Sequence, residues 1–242
     1  MKLSVIIPAH NEETSIAQTV ESLIAVLKAN AIEYEIVIVN DNSTDGTVIV
    51  LEGLASRFER IKVVANEGPK GFGRAIRRGL DCFCADTVVI YMGDGSDDPA
   101  DVVQYYRKIL EGYDCVFGSR FIKGSKVSGY PAIKYILNRL GNQFIKLLFF
   151  IKYNDVSNAF KAYKKEVIYA IQPLVSQYFN ITVEMPLKAI IRGFSYTVIP
   201  ISWNGRKSGV SKYNIKELSR KYFFSILFVW LEKLLLKEDM KK

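Results

Sequence analysis

The sequence contains little histidine and cysteine, and this scarcity excludes several classes of catalytic site. His10 is the single histidine in 242 residues. A metal centre held by several histidines is therefore excluded, and a catalytic triad built on histidine is not expected. The three cysteines, Cys82, Cys84 and Cys115, are an odd number without paired spacing. They argue against a disulfide framework and for a reducing compartment.

The sequence also lacks an apolar run of the roughly 20 residues that a membrane-spanning helix needs. Its N-terminal apolar stretch, residues 3–8, ends at a proline and predicts a buried strand rather than a signal peptide. We therefore expect a cytoplasmic protein. Charge is more abundant: 33 basic against 25 acidic residues give a net charge of +8, which favours an anionic partner. The basic residues are dispersed and form no aromatic–basic motif, so nucleic acid is not expected as that partner.

Short apolar runs alternate with amphipathic stretches over the first 120 residues. The runs are nearly continuous in β-branched residues, which is typical of parallel strands covered on both faces. They lie at residues 3–8, 34–40, 61–65, 87–92 and 115–118. This order predicts an α/β fold with a mostly parallel, Rossmann-like sheet flanked by helices, whose ligands bind at the carboxyl ends of the strands. Later patterns predict helices at 131–153, 184–192 and 214–237 and a strand at 194–203.

Polar loops follow four of the predicted strands, at residues 8–13, 40–47, 66–71 and 93–99. Turns favour Asp, Asn and Gly in general. Four such loops at the same edge of a parallel sheet nevertheless predict a polar ligand site.

The last of these loops carries three carboxylates. Asp94 lies between two glycines directly after the fourth strand, where the backbone can bend sharply. Asp97 and Asp98 follow within four residues, and such close carboxylates repel one another unless a cation lies among them. Hard oxygen ligands suit Mg²⁺ or Mn²⁺. Asp98 also precedes Pro99 and is suited to capping the next helix.

The other loops offer less specific signals. Asp41 ends the second strand, where it could accept a hydrogen bond from a base. Either Asn11 caps the first helix or Glu12 reaches a ribose hydroxyl. His10 could stack against a base or lie at a plain surface. Residues 70–74 resemble a phosphate-binding glycine-rich loop but match neither the Walker nor the dinucleotide pattern.

Three segments in this order resemble the family 2 glycosyltransferases of GT-A fold. They are Ile-Pro-Ala-His-Asn-Glu-Glu at 7–13, Val-Asn-Asp-Asn-Ser-Thr-Asp-Gly-Thr at 39–47, and the acidic turn. The chain is most similar to the dolichyl- or polyprenyl-phosphate sugar synthase branch, through residues 118–121, 155–163 and 205–212. The resemblance implies an inverting transferase that moves a sugar from a GDP- or UDP-sugar to a polyprenyl phosphate. The alternative acceptor is a hydroxyl of a glycan or glycolipid.

The resemblance also implies residue roles. Those expected at the nucleotide sugar are Pro8, His10, Glu12, Asp41, Lys70, Asp94, Arg206 and Lys212, the last two in a loop that closes over the diphosphate. Arg120 would contact a phosphate of donor or acceptor. The family's usual turn is Asp-x-Asp, whereas this chain has Gly-Asp-Gly at 93–95, so Asp97 or Asp98 is the candidate for the second metal ligand.

The acceptor decides which further catalytic group is needed. A hydroxyl would need a general base, for which Glu184 is the candidate, although a carboxylate at a helix N-terminus is also an ordinary feature. A phosphate is already anionic and needs positioning, which Arg120 with Lys123 or Lys126 would provide. In either case, neutralising the diphosphate makes it a better leaving group.

We predict a GT-A domain over residues 1–212, with a nucleotide-sugar half at 1–120 and an acceptor half at 121–212. An amphipathic helix follows within 213–242. Its ten uncharged residues, 222–231, are flanked by basic residues and suit a peripheral position in a membrane interface. Packing on a partner subunit or on the chain's own core suits them equally, so an oligomer stays open.

Two other classes of protein compete with this interpretation. A nucleotidyltransferase should carry a glycine-rich basic loop after its first strand, and residues 9–13 are Ala-His-Asn-Glu-Glu instead. A nucleotide-sugar-binding protein without catalytic activity would accommodate the altered acidic turn.

Overall fold

A computed structural model describes residues 1–205 and 215–239 of the chain. Its strands are β1 (Leu3–Ala9), β2 (Tyr34–Asn40), β3 (Ile61–Ala65), β4 (Thr87–Ile90), β5 (Cys115–Ser119), β6 (Lys126–Ser128), β7 (Lys161–Lys164), β8 (Tyr196–Pro200) and β9 (Ser202–Asn204). Seven of them form a central sheet in the order β3-β2-β1-β4-β7-β5-β8, and β6 pairs with β9 in a separate sheet.

The five strands predicted in the first 120 residues are all present, and they form parallel pairs wherever they are neighbours. In β1 and β2, for example, Leu3 lies opposite Tyr34 and Ala9 opposite Asn40. β7 was not predicted and pairs antiparallel with both β4 and β5. Its sequence, Lys-Ala-Tyr-Lys, does not have the apolar pattern that predicts a buried strand, because it begins with Lys161, which is buried in spite of its charge. The predicted halves therefore contribute to the same sheet, and their division at residue 120 stays a prediction.

Helices cover both faces of the sheet. One face carries α1 (Ile16–Ala29), α2 (Thr47–Arg57) and α4 (Pro99–Leu110), whose apolar side chains form one core with the sheet. The other face carries α3 (Phe72–Cys82), α5 (Ala132–Phe149), the short α6 (Lys165–Ala170), α7 (Ile181–Ile191) and α8 (Ile215–Asp239). The predicted C-terminal helix is thus present, and it packs against α7.

The boundaries of two elements differ from the predicted ones. The amphipathic stretch after the first strand predicts a helix over residues 12–28, but α1 begins at Ile16, because the N–H groups of Ser15 and Ile16 both donate to the carbonyl of Glu12 in a turn. The strand predicted at 194–203 divides into β8 and β9. Pro200 is the last residue of β8, and the N–H of Ile201 after it still donates to the carbonyl of Ser119 at 3.2 Å.

None of the helices in the described residues combines the length and the apolar character that crossing a membrane requires.

Candidate active site

A cavity of about 580 Å³ lies beside the carboxyl ends of β4 and β5. Its polar end is lined by side chains of the two loops that follow these strands, among them Asp94, Asp97 and Arg120. Its apolar end runs between three helices, and the side chains there include Leu137, Phe144, Ile145, Val183 and Ile226. The cavity therefore joins a charged site to an apolar groove.

The acidic turn places two of its three carboxylates at the cavity. The Oδ1 of Asp94 accepts a hydrogen bond from the N–H of Ser96 at 3.1 Å. Asp97 is only 3% exposed, and its Oδ2 accepts from the N–H of Met92 at 3.2 Å. Its Oδ1 is buried without a hydrogen-bond partner within the described part of the chain. Burial and then the neighbouring Asp94 raise the pKa of Asp97 to about 8.

These two carboxylates fit a divalent cation. A buried carboxylate oxygen without a donor, next to a second carboxylate, is stabilised by a positive charge, and carboxylate oxygens suit Mg²⁺ or Mn²⁺. Among residues 1–205 and 215–239, no group of three or more acidic, histidine or cysteine side chains is arranged to hold a metal ion. Asp94 and Asp97 would thus leave coordination positions for oxygen atoms of a ligand.

Asp98 occupies a different position. It precedes the first turn of α4, and its Oδ1 accepts a hydrogen bond from the N–H of Ala100 at 2.9 Å. It does not line the cavity. This geometry corresponds to the capping interpretation, and it gives the metal role predicted for Asp98 no support.

Arg120 is held at the cavity by a buried ion pair. Its Nε and Nη2 donate to the two carboxylate oxygens of Asp155 at 2.8 and 2.7 Å, and the two side chains are 8% and 0% exposed. The guanidinium also lies over the rings of Tyr130 and Trp203, at 5.3 and 5.8 Å from their centroids. Burial opposes the charge, but Asp155 outweighs it and raises the pKa of Arg120.

Sequence reasoning missed two residues of this region. Asp155 lies 35 positions from Arg120, and the only signal for it was its place in the segment 155–163. Lys134 lines the cavity from the first turn of α5, where the sequence marks only a helix. Lys123 and Lys126, which were predicted to position a phosphate, do not line it.

Asp41 lies at the predicted edge, where protein donors surround its carboxylate. The N–H of Gly71 lies 3.0 and 2.9 Å from its two oxygens, and Asn66 Nδ2 donates to Oδ1 at 2.6 Å. His10 Nδ1 lies 2.8 Å from the Asp41 carbonyl oxygen. Asp41 therefore ties the loop 66–71, with the exposed Lys70, to the end of β2.

The first loop contacts the second one. Asn11 does not cap α1: its Oδ1 accepts a hydrogen bond from the N–H of Thr44 at 2.7 Å. Glu12 lies in the turn before α1, where its Oε2 accepts from Ser15 Oγ at 2.8 Å. Pro8 is buried within β1. The structure thus brings Pro8, His10, Glu12 and Asp41 to one edge of the sheet, and their binding roles stay predictions.

Glu184 lies outside the cavity. It is completely buried, and its two carboxylate oxygens accept hydrogen bonds from the N–H groups of Val175 and Ser176, each at 2.8 Å. Lys188 Nζ lies 3.4 Å from its Oε1. Glu184 does not line the cavity, so its surroundings give no support to the predicted role as a base. Arg206 and Lys212 lie outside the described residues.

The fold is that of the GT-A glycosyltransferases, as predicted. The chain superposes with a TM-score of 0.73 on the crystal structure of glucosyl-3-phosphoglycerate synthase from Mycobacterium tuberculosis in complex with Mn²⁺, UDP-glucose and phosphoglyceric acid. The match covers 95% of this chain and 79% of that chain at 18% sequence identity. At this identity the likeness concerns the fold alone.

Residues 4–171 match the profile of glycosyl transferase family 2, and the chain belongs to this family of enzymes. It is 28% identical over 222 residues to the polyprenol monophosphomannose synthase of Mycolicibacterium smegmatis. The aligned region covers 88% of this chain and 82% of that protein. It is 29% identical to the dolichol-phosphate mannosyltransferase of Pyrococcus furiosus, covering 90% of this chain and 61% of that protein. Both names agree with the predicted branch of the family.

Proposed function

We propose that the protein transfers a sugar, with inversion, from a GDP- or UDP-sugar to a polyprenyl phosphate. The observation that carries this proposal is the cavity, because it connects Asp94, Asp97 and Arg120 to an apolar groove between α5, α7 and α8. An acceptor with a phosphate head and a hydrocarbon chain matches both ends. The names of the two relatives support the same acceptor class.

At the polar end, Asp94 and Asp97 would hold Mg²⁺ or Mn²⁺. Bound there, the cation would neutralise charge on the diphosphate and so improve it as a leaving group. The protein's own part is to keep both carboxylates in place, through the hydrogen bonds from Ser96 and Met92. The Mn²⁺ and UDP-glucose in the structure of the M. tuberculosis enzyme are consistent with such a site.

The acceptor phosphate needs orientation and no base, because it is ionised at neutral pH. Arg120 and Lys134 line the cavity and supply positive charge for it. A hydroxyl acceptor would need a carboxylate base within reach. Of the side chains that the structure describes, the acidic ones that line the cavity are Asp94 and Asp97, which the cation would engage. The lipid phosphate is therefore the better acceptor, and Glu184 has no part in its activation.

We also propose a peripheral membrane contact through α5 and α8. Both helices expose large apolar side chains, namely Ile133, Ile136, Leu137, Leu140, Phe144, Leu147, Phe223, Phe224, Phe228, Leu231 and Leu235. Leu137 and Phe144 also line the cavity, so the cavity opens on this apolar surface. A lipid chain would reach the groove from the membrane without crossing water.

A transfer assay tests the proposed reaction. The purified chain is incubated with GDP- and UDP-sugars, Mn²⁺ and either undecaprenyl phosphate or the corresponding alcohol, undecaprenol. We expect a sugar–phosphate–lipid product of inverted anomeric configuration with the phosphate, and none with the alcohol or after chelation of the metal. Transfer to the alcohol alone would favour the hydroxyl acceptor. Binding of nucleotide sugars without transfer to either lipid would favour a non-catalytic binding protein.

A further inference from the structure

Residues 175–180, here called the bridge segment, lie between α8 and the first turn of α3, which follows the loop 66–71. This loop and the first turn of α3 are here called the donor side. The backbone of the segment contacts the donor side directly, because the N–H groups of Gly73 and Arg74 donate to the carbonyl of Gln177 at 3.1 and 3.3 Å. A Cβ on Gly73 would come within 2.5 Å of the Ser176 carbonyl oxygen. Glycine is therefore required for this close approach of the two backbones.

The side chains of the bridge segment contact both neighbours. Phe179 stacks on Phe72 of the donor side, with ring centroids 4.1 Å apart, and its carbonyl accepts a hydrogen bond from the Tyr222 hydroxyl of α8 at 3.2 Å. The ring of Tyr178 lies between two cations. The guanidinium carbon of Arg74 is 5.9 Å from its centroid, and Lys221 Nζ of α8 is 3.3 Å from it.

A buried polar cluster fixes the contact with α8. Asn180 Nδ2 donates to the hydroxyls of Ser176 and Ser225 at 2.9 and 2.7 Å, and the two hydroxyls lie 3.0 Å apart. The three side chains are between 3% and 7% exposed. Hydrogen bonds that are shielded from water in this way define one relative position of the two elements. Any other position would leave buried polar side chains without hydrogen-bond partners, which costs free energy.

Both ends of this chain of contacts reach a ligand site. On one side, Asp41 holds the N–H of Gly71 in the loop that the bridge segment contacts. On the other side, Phe179, Tyr222 and Ile226 line the cavity. The buried carboxylate of Glu184 holds the start of the segment through Val175 and Ser176, which gives this residue a positioning role.

We propose that the bridge segment couples the donor site to the acceptor cavity, with Asn180 and Ser225 as positioning residues. A nucleotide held at Asp41 would favour one arrangement of the loop 66–71 and, through the bridge segment, one position of the α8 wall. Coupling of this kind is reciprocal, so a lipid phosphate in the cavity strengthens nucleotide binding by the same factor. The inference rests on the proposed function.

The test measures the affinity of the full chain for farnesyl phosphate with and without GDP or UDP, in the presence of Mn²⁺. We expect nucleotide to tighten lipid binding on the order of tenfold in the unaltered chain. In Ser225→Ala the coupling factor, which is the ratio of the lipid Kd without nucleotide to the lipid Kd with nucleotide, falls toward one. The KM for farnesyl phosphate at saturating donor rises, and kcat stays nearly unchanged.

Ser4→Ala is the matched control. Ser4 is an equally buried serine at the start of β1, and its loss should lower thermal stability but leave the coupling factor unchanged.

A pair of substitutions at the half-buried Tyr178 separates coupling from loss of folding. Tyr178→Phe keeps the ring between the two cations and should keep the coupling, whereas Tyr178→Leu should lose most of it. The proposal is overturned if the unaltered chain binds both ligands independently, or if Ser225→Ala and Tyr178→Leu keep the full factor. If the unaltered chain binds neither nucleotide nor farnesyl phosphate, the proposed function fails instead.

Discussion

The two ends of the cavity are built in different ways. The polar end consists of a few charged groups on loops after β4 and β5, and each is held by specific bonds, as Asp155 holds Arg120. The apolar end consists of side chains from three helices, and those of Leu137, Phe144, Ile145, Val183 and Ile226 contribute apolar surface. Single substitutions should therefore have large effects at the polar end and small ones at the apolar end.

The largest effect is expected where the polar end loses a buried partner. Asp155→Asn leaves the Arg120 guanidinium buried without a negative charge, which costs about 3–5 kcal/mol for such pairs. Urea unfolding should show this loss in the free energy of unfolding. The double substitution Arg120→Met with Asp155→Leu should cost less, because it removes both charges. A loss below about 1 kcal/mol for Asp155→Asn would mean that the pair contributes little.

The next effect concerns the two adjacent carboxylates. Asp97→Asn removes a carboxylate that would hold the cation and should lower kcat on the order of 100-fold, equivalent to about 2.7 kcal/mol. Asp98→Asn is the matched control, because asparagine caps a helix as well as aspartate does, and its kcat should stay within about twofold. Initial rates over a Mn²⁺ titration measure both. Equal losses in the two variants would contradict the assignment of Asp98 to the cap.

The apolar end should respond more weakly and only toward the lipid. Ile226→Ala shortens a side chain that lines the groove, and we expect the KM for undecaprenyl phosphate to rise about tenfold, or ~1.4 kcal/mol. Val229→Ala, on the same helix but buried in the core away from the groove, should lower stability without changing this KM. Steady-state kinetics with long and short prenyl phosphates would distinguish the two variants. A rise in KM that is independent of chain length would place the lipid elsewhere.

Lys161, the first residue of β7 after the loop that carries Asp155, should make stability depend on pH. Lys161 Nζ donates to the carbonyls of Val156 and Thr182, each at 3.0 Å, and burial lowers the pKa of Lys161 to about 7, although Asp155 opposes the shift. Above pH 7 the folded chain releases a proton that the unfolded chain keeps, so this contribution to stability rises with pH. We expect about 1 kcal/mol between pH 7 and pH 8. The buried Asp97, whose pKa is raised to about 8, contributes in the opposite direction over this range. Urea unfolding of Lys161→Met should therefore show a change in stability between pH 7 and pH 8 that is lower by about 1 kcal/mol than the change in the unaltered chain. An identical pH dependence of the two chains would contradict the assignment.

The smallest effect is expected at the apolar surface around the mouth of the cavity. Leu140→Glu places a charge on α5 at a side chain that is 63% exposed, and it should weaken binding to phospholipid vesicles roughly threefold. Ile49→Glu is the control, since Ile49 is 75% exposed on α2 at the opposite face of the sheet. Vesicle sedimentation measures both. Equal binding of the two variants would argue against a membrane contact through α5.

The edge of the sheet was predictable because parallel strands bring their following loops together. Asp41 and Asp94 lie there for that reason, each directly after a β-branched run. The pairing of Arg120 with Asp155 was not predictable from spacing, because it depends on the antiparallel β7 bringing the loop before it to the end of β5. For Glu184 the sequence left two roles open, a base or an ordinary helix N-terminal carboxylate, and the amide partners that hold its carboxylate could not be predicted from spacing.

The order of the strands in the first 120 residues follows from local periodicity in the sequence, and the polar edge and the family follow from short motifs. Which carboxylate is buried at the cavity and which one caps a helix could be seen in the folded chain and not in the sequence. Asp97 and Asp98 are neighbours of the same type, yet one is buried with an unpartnered oxygen within the described residues and the other caps a helix. Burial and hydrogen-bond partners separate them, and both arise from segments that are distant in the chain.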